Sequence, residues 1–283
     1  MRLRYLNLSS NAFKGEIPAN LSYCLDIQVI RLAYNNLVGK IPEELSSLST
    51  NKLKGFSVSV NGLTGSIPRW LGNASSLLDL FMSRNYFQGT IPSELGRLLN
   101  LERFQIGTNN LSGEVPPSIY NISSLQFLGL AGNQFYGKFP QDIGFTLPNL
   151  FGLYVSHNQF TGHLPISLSN ISGLRDVNFG FCHFTGTMPT NLGSLKGLEK
   201  LSVAENQLET DEAEGFSFLT SLTNCSNLQT LWGPDRYYSV NGVVKLKWVV
   251  KKGSPIPPTI CNFSVFGPEL FEGNMEQGRG IHE

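Results

Sequence analysis

The chain has 283 residues, with 21 Lys and Arg balanced by 21 Asp and Glu, and only 15% of its residues are charged. A zero net charge argues against nucleic acid or an anionic membrane surface as the partner, since either calls for a basic excess. No run of 18 apolar residues occurs, so no segment reads as a membrane-spanning helix and no direct membrane contact is expected.

The first residues, "MRLRYLNLSSN", already carry the pattern that fills the chain: Leu3, Leu6, Leu8, then Asn11. There is no basic start followed by an apolar run and a small-residue cleavage site, so the chain is expected to begin inside an array, without a leader. The pattern returns in nine segments opening at Leu3, Ile27, Leu53, Leu77, Leu101, Leu125, Leu150, Leu174 and Leu198, and a tenth opens at Leu228. The gaps are 24, 26, 24, 24, 24, 25, 24, 24 and 30 residues. A fixed period in this range marks a solenoid, and LxxLxLxxN at this length is the leucine-rich repeat. One elongated array follows, in which each unit packs only on its neighbours.

Within a repeat, a stretch such as "LERFQIGTN" predicts a short strand with Leu101, Phe104 and Ile106 inward and the residues between them outward. Parallel stacking of ten such strands spans about 43 Å. Asn11, Asn35, Asn61, Asn85, Asn109, Asn133, Asn158 and Asn206 form a column where the chain turns inward. A buried amide there can donate to backbone carbonyls that the turn leaves unpaired. Cys182 occupies that column in one repeat and makes a weaker rung. The Gly-x-Ile-Pro phrase follows, where Gly admits positive φ and Pro fixes φ, so the return path is rigid and non-helical. The fold expected is an α/β-type solenoid, with short parallel strands on one side and a 3₁₀ or irregular outer side.

Further along, an acidic expansion after Asn206 holds Asp211, Glu212 and Glu214 and reads as a solvated loop. The array is expected over residues 1–231 and a disrupted insertion over 232–252, where "VVKLKWVV" reads as a basic edge strand. Residues 253–264, "GSPIPPTICNFS", repeat the second half of a unit, as "GEVPPSIYNISS" does at 113–124. Residues 265–283 carry no repeat and read as a disordered tail.

No catalytic, cofactor or metal site emerges. No Gly-rich loop with Lys, no His-Arg-Asp and no Asp-Phe-Gly occur, which excludes phosphoryl transfer by this chain as far as sequence can. His157, His163, Cys182 and His183 come from adjacent repeats, but their spacing matches no metal motif. Cys24 and Cys225 share one repeat position about eight units apart and cannot meet in a rigid rod, so Cys24, Cys182, Cys225 and Cys261 read as unpaired thiols.

The 24-residue L-x-G-x-I-P form resembles the plant-specific class of leucine-rich repeats. "SIYNISSL", "DIGFTLPNL" and "LETDEAEGFSFLTSLTNCSNLQTL" resemble the branch of plant receptor-like kinases that holds the rice bacterial-blight resistance receptor and the bacterial elongation-factor-Tu receptor. The resemblance implies a secreted, glycosylated, right-handed superhelix with a second sheet built from the Gly-x-Ile-Pro segments. It implies a cell-surface location, a peptide or protein ligand and a co-receptor kinase, in immune or developmental signalling. The signal peptide, the cysteine-paired cap, the membrane helix and the kinase of that family have no counterpart here, so the chain reads as a middle section of an ectodomain. Two alternatives stay open at this point: a secreted inhibitor of the polygalacturonase-inhibitor type, whose paired caps are missing here, and a truncated, non-functional gene product.

Eight Asn-x-Ser/Thr sequons occur, at Asn7, Asn20, Asn73, Asn110, Asn121, Asn170, Asn224 and Asn262. In a secreted chain they are acceptors, and Asn20, Asn73, Asn121, Asn170 and Asn224 are the expected sites. Asn7 falls within a strand, where a glycan would crowd the sheet. The expected ligand face is the set of outward strand positions, where Phe127, Tyr154, His157 and Phe181 stand out from three successive repeats. Gly129, Gly132 and Gly152 lie among them and leave room for another chain, and Arg84 and Arg103 are placed to hold acidic groups. The bland reading of the same rings is that they stack on one another along the sheet.

Overall fold

The structure, a computed structural model, describes residues 2–48, 52–209, 217–232, 238–240 and 243–245. Two parallel sheets run the length of the array. The first has ten strands in sequence order: Tyr5–Asn7, Val29–Arg31, Gly55–Ser57, Asp79–Phe81, Arg103–Gln105, Phe127–Gly129, Gly152–Tyr154, Asp176–Asn178, Lys200–Ser202 and Thr230–Trp232. The second has nine, from Lys14–Glu16 to Gln207–Glu209, one at each Gly-x-Ile-Pro or related phrase of the first eight repeats and the last in the ninth. Every pairing in both sheets joins adjacent repeats, so strand hydrogen bonding is confined to one period.

The alternation that predicts the strands also fills the space between the sheets. Leu101, Phe104 and Ile106 are fully buried, as are Leu77, Leu80 and Met82 one repeat earlier. The second-sheet phenylalanines Phe135, Phe160 and Phe184 stack rung on rung, with centroids 6.5 and 6.4 Å apart. Phe139 replaces the usual Ile of the Gly-x-Ile-Pro phrase and meets Phe160, Phe179 and Phe184 edge-on.

The return path explains the third layer. Gly162 sits at φ +84°, where a side chain would be strained. Pro165 then holds φ at −68°, and its carbonyl accepts from the Leu168 N–H at 3.2 Å, closing a 3₁₀ turn. The same construction starts the 3₁₀ helices Ala19–Tyr23, Arg69–Asn73 and Ser93–Arg97. Among the described residues the only α-helices are Ile143–Thr146 and Ser217–Leu222, and none is long and apolar enough to cross a membrane.

The Asn column forms a ladder. Asn158 Nδ2 donates to the carbonyls of Leu130 at 3.1 Å, Val155 at 3.0 Å and Ser156 at 3.1 Å, while its Oδ1 accepts from the Phe135 N–H at 2.9 Å. Asn35, Asn61, Asn85, Asn109, Asn133 and Asn206 repeat the scheme. Asn11 donates only within its own turn. Each Asn rung after the first therefore bonds two repeats together through one amide.

The tenth strand reaches Trp232, one residue past the expected end of the array. The stretch read as a basic edge strand contributes Val243–Lys245, which pairs antiparallel with Tyr238–Val240 instead of joining either long sheet. The acidic run at 211–214, the repeat-like 253–264 and the tail at 265–283 lie outside the described residues. Among the described residues Cys24, Cys182 and Cys225 are buried and unbridged.

Candidate functional site

Parallel register brings the outward residues of successive strands side by side. One column of the first sheet reads Asp79, Arg103, Phe127, Gly152, Asp176, Lys200. The next reads Phe81, Gln105, Gly129, Tyr154, Asn178, Ser202. Three of the six residues expected at the ligand face belong to these columns: Arg103, Phe127 and Tyr154.

Arg103 is already engaged. Its Nε and Nη2 donate to Asp79 Oδ1 and Oδ2 at 2.6 and 2.7 Å, and its guanidinium lies 5.4 Å from the Phe81 ring centroid. A bidentate pair of this kind fixes a planar fork. Its role as a receiver of acidic groups from outside is therefore taken by a neighbour within the sheet. The space left by the glycines is also occupied from within. A Cβ on Gly152 would lie 2.5 Å from the Phe127 ring, which leans across that strand. Phe127 meets Tyr154 edge-on at 5.1 Å and Phe151 at 5.8 Å. Gly129 lies between Gln105 and Tyr154 and keeps its side of the sheet low.

Tyr154 hydrogen-bonds Asp176, and Lys200 Nζ stands 3.3 Å from Asp176 Oδ2. Burial pushes the Asp176 carboxyl above its ordinary value, and the Tyr154 and Lys200 hydrogen bonds oppose that shift. Asp176 Oδ1 is buried without a hydrogen-bond partner, which fits the upward direction. Burial first, and then Asp176, raise the Tyr154 phenol. The strand face thus carries two self-neutralised pairs, Asp79–Arg103 and Asp176–Lys200, with a three-ring aromatic cluster between them.

Arg84, His157 and Phe181 are not outward strand positions. They stand in the turn after the strand, immediately before a rung of the ladder, at φ 56°, 52° and 53°. Ser10, Tyr34, Val60, Thr108, Gly132 and Glu205 share that place and that left-handed conformation. A left-handed L-residue costs roughly 1–2 kcal/mol; the bonds that the following Asn, or Cys182 after Phe181, makes to the surrounding turn offset it. The His157 and Phe181 rings stack at 4.2 Å, 8° from parallel, on the exposed rim. The six residues therefore form two rows, one on the strand face and one along its rim. The residues missed were Asp79, Phe81, Phe151, Asp176 and Lys200. Asp79 with Arg103, and Asp176 with Lys200, are one 24-residue period apart, so opposite charges at that interval carried the signal.

The seven described sequon asparagines, Asn7, Asn20, Asn73, Asn110, Asn121, Asn170 and Asn224, are exposed. Among the described residues no group of His, Cys, Asp and Glu is arranged to hold a metal ion.

The model of the Leucine Rich Repeat family matches residues 2–24, 26–48, 76–98 and 149–171. Receptor-like protein 31 of Arabidopsis thaliana is 39% identical over 104 residues, which is 36% of this chain and 12% of that protein. Receptor kinase-like protein Xa21 of Oryza sativa subsp. japonica is 38% identical over 64 residues, 23% of this chain and 6% of its own length. The chain thus spans a small part of the curated relatives it matches. Among solved structures, a TDR receptor superposes with a TM-score of 0.75 at 35% identity, over 82% of this chain and 38% of that one. The plant peptide hormone receptor RGFR1, in complex with RGF2, gives 0.71 at 26% identity over 81% and 39%. The chain is a leucine-rich-repeat solenoid whose relatives are plant receptor-like proteins and whose fold is that of plant receptor ectodomains.

Proposed function

We propose that this chain is the ligand-recognition portion of a plant cell-surface receptor, and that its ligand is a peptide or protein seated on the first sheet. The observation that carries the reading is the Phe127–Phe151–Tyr154 cluster on the open strand face, beside the low ground at Gly129. Rigid aromatic groups on an accessible face dominate the energetics of protein contacts. The likeness to RGFR1 in complex with RGF2 supports the class of ligand. Because Arg103 and Lys200 are neutralised within the sheet, apolar contact and backbone hydrogen bonding, not charge, hold the ligand at its centre. A co-receptor kinase is the second partner this reading implies, with signalling in immunity or development.

The test is selection of binders from a library of secreted plant peptides against the purified chain. A double change, Tyr154→Ala with Phe181→Ala, is expected to weaken a selected binder by tenfold or more, since each anchor at such a surface is worth about 1–2 kcal/mol. Ser194→Ala, in the 3₁₀ layer, is the control and is expected to leave affinity unchanged. A binder weakened equally by both, or by neither, refutes the placement.

A further inference from the structure

A groove of ≈ 650 Å³ lies away from the first sheet, where the second-sheet strands of three successive repeats pass into the 3₁₀ layer. Its size falls in the range of ligand sites. Lys138 and Thr187 end their strands along it, His163 follows the strand Gln159–Gly162 between them, and Thr190 stands beyond. Leu164, Ile166, Met188 and Pro189 supply the apolar part of the wall. Ile166 is 65% exposed, a branched aliphatic side chain left facing water.

Among the described residues of the wall Lys138 is the one fixed charge, and the His163 imidazole lines the wall with it. Among the described residues no carboxylate lines the groove. The amide nitrogens of Gln141 and Asn191 are spent on the walls themselves, on the His163 and Ile166 carbonyls at 2.9 and 3.2 Å. Lys138 and His163 are in no ion pair among the described residues, and both are exposed. Among the described residues, the flanking second-sheet strands carry Glu114, one repeat before Lys138, and Glu209, paired with Thr187. Lys138 lies across Gly162, and His163 across Gly186, so each base reaches towards the next repeat.

We propose that this groove is a second binding site, which takes a short extended peptide segment carrying a carboxylate two residues from an aliphatic side chain. The distance from Lys138 to Thr187 covers two strand spacings, about 10 Å, the length of about three extended residues. In an extended segment, residues i and i+2 face the same way. One therefore reaches Lys138 while the other covers Ile166, the exposed aliphatic side chain of the wall. An acidic sugar fits less well, because the apolar wall is aliphatic and offers no aromatic plane for a sugar ring.

The experiment is a titration of the full chain, followed by heteronuclear NMR, with Ac-Leu-Ser-Glu-NH2, its Gln counterpart and trigalacturonate. The Glu peptide is expected to bind about fivefold more tightly than the Gln peptide, the upper range for an exposed ion pair. Lys138→Gln abolishes that preference and Lys138→Arg retains it, with unchanged thermal melting in both. The Tyr154→Ala, Phe181→Ala variant keeps the preference, which separates this site from the strand face. Equal affinity for the two peptides, no saturable binding of the Glu peptide at millimolar concentration, a preference that survives Lys138→Gln, or tighter binding of trigalacturonate overturns the proposal.

Discussion

Cys182→Asn is expected to stabilise the protein. Cys182 fills the ladder position between Asn158 and Asn206, and its thiol donates to the Val155 carbonyl at 3.4 Å. Burial, opposed by the Asn158 and Phe160 amides, pushes that thiol up to about 12, so it stays protonated. At the neighbouring rung, Asn206 gives three carbonyls bonds of 2.9–3.1 Å and takes the Phe184 N–H at 3.0 Å. An Asn at 182 in the same pose would add two donor contacts, to Phe179 and Gly180. It would also give the Phe160 N–H an oxygen in place of a sulfur. At about 0.5–1.5 kcal/mol net for each neutral bond, and with those carbonyls already accepting one bond each, the gain is about 1–3 kcal/mol. The backbone is already suited, since Phe181 has the left-handed φ that precedes every Asn rung. The assay is urea unfolding of parent and variant, read by intrinsic fluorescence, with hydrogen exchange of the Phe160 amide as the local probe. A variant no more stable than the parent, with Phe160 exchange unchanged, would show that the thiol already satisfies the turn and would refute the accounting.

Two glycines should separate in cost. A Cβ on Gly144 meets the Ser167 carbonyl of the next repeat, a backbone atom that cannot swing aside, so Gly144→Ala is expected to cost about 3 kcal/mol. Gly152→Ala meets only the Phe127 ring and is expected to cost about 1 kcal/mol, with altered tyrosine fluorescence; thermal melts of both check the order. Asp176 gives a pH signature. Its folded carboxyl titrates above its ordinary value of 3.8, so its contribution is fully present below that value and is lost as pH rises through the folded one. Asp176→Asn is expected to remove that slope from a plot of unfolding midpoint against pH; an unchanged slope assigns it to another group. After secretion from plant or insect cells, peptide mapping should find glycans on Asn20, Asn73, Asn121, Asn170 and Asn224, and Asn7 bare. Asn7 lies in strand Tyr5–Asn7, its Oδ1 accepts from the Ser9 N–H at 3.1 Å, and it stands beside Arg31 on the sheet face.

The repeat, the strand positions, the inward residues and the turn amide were legible in the amino-acid sequence, because each follows from a local rule applied at a fixed period. Leu101, Phe104 and Ile106 alternate, so they face inward in any parallel stack, and an Asn at the same offset must meet the same carbonyls. The candidate face was legible only as a set of rungs. Period alone does not say that Arg84, His157 and Phe181 leave the strand plane, because their left-handed φ arises from the turn that the following Asn or Cys completes. Nor does it say which way a side chain leans across its neighbours. Phe127 covers Gly152 because a missing Cβ leaves a hollow beside it, and Arg103 turns back to Asp79 because a fixed carboxylate one rung away meets its planar fork better than water does. Position along the chain sets which residues become neighbours; packing and charge between adjacent repeats decide what those neighbours leave open to a ligand.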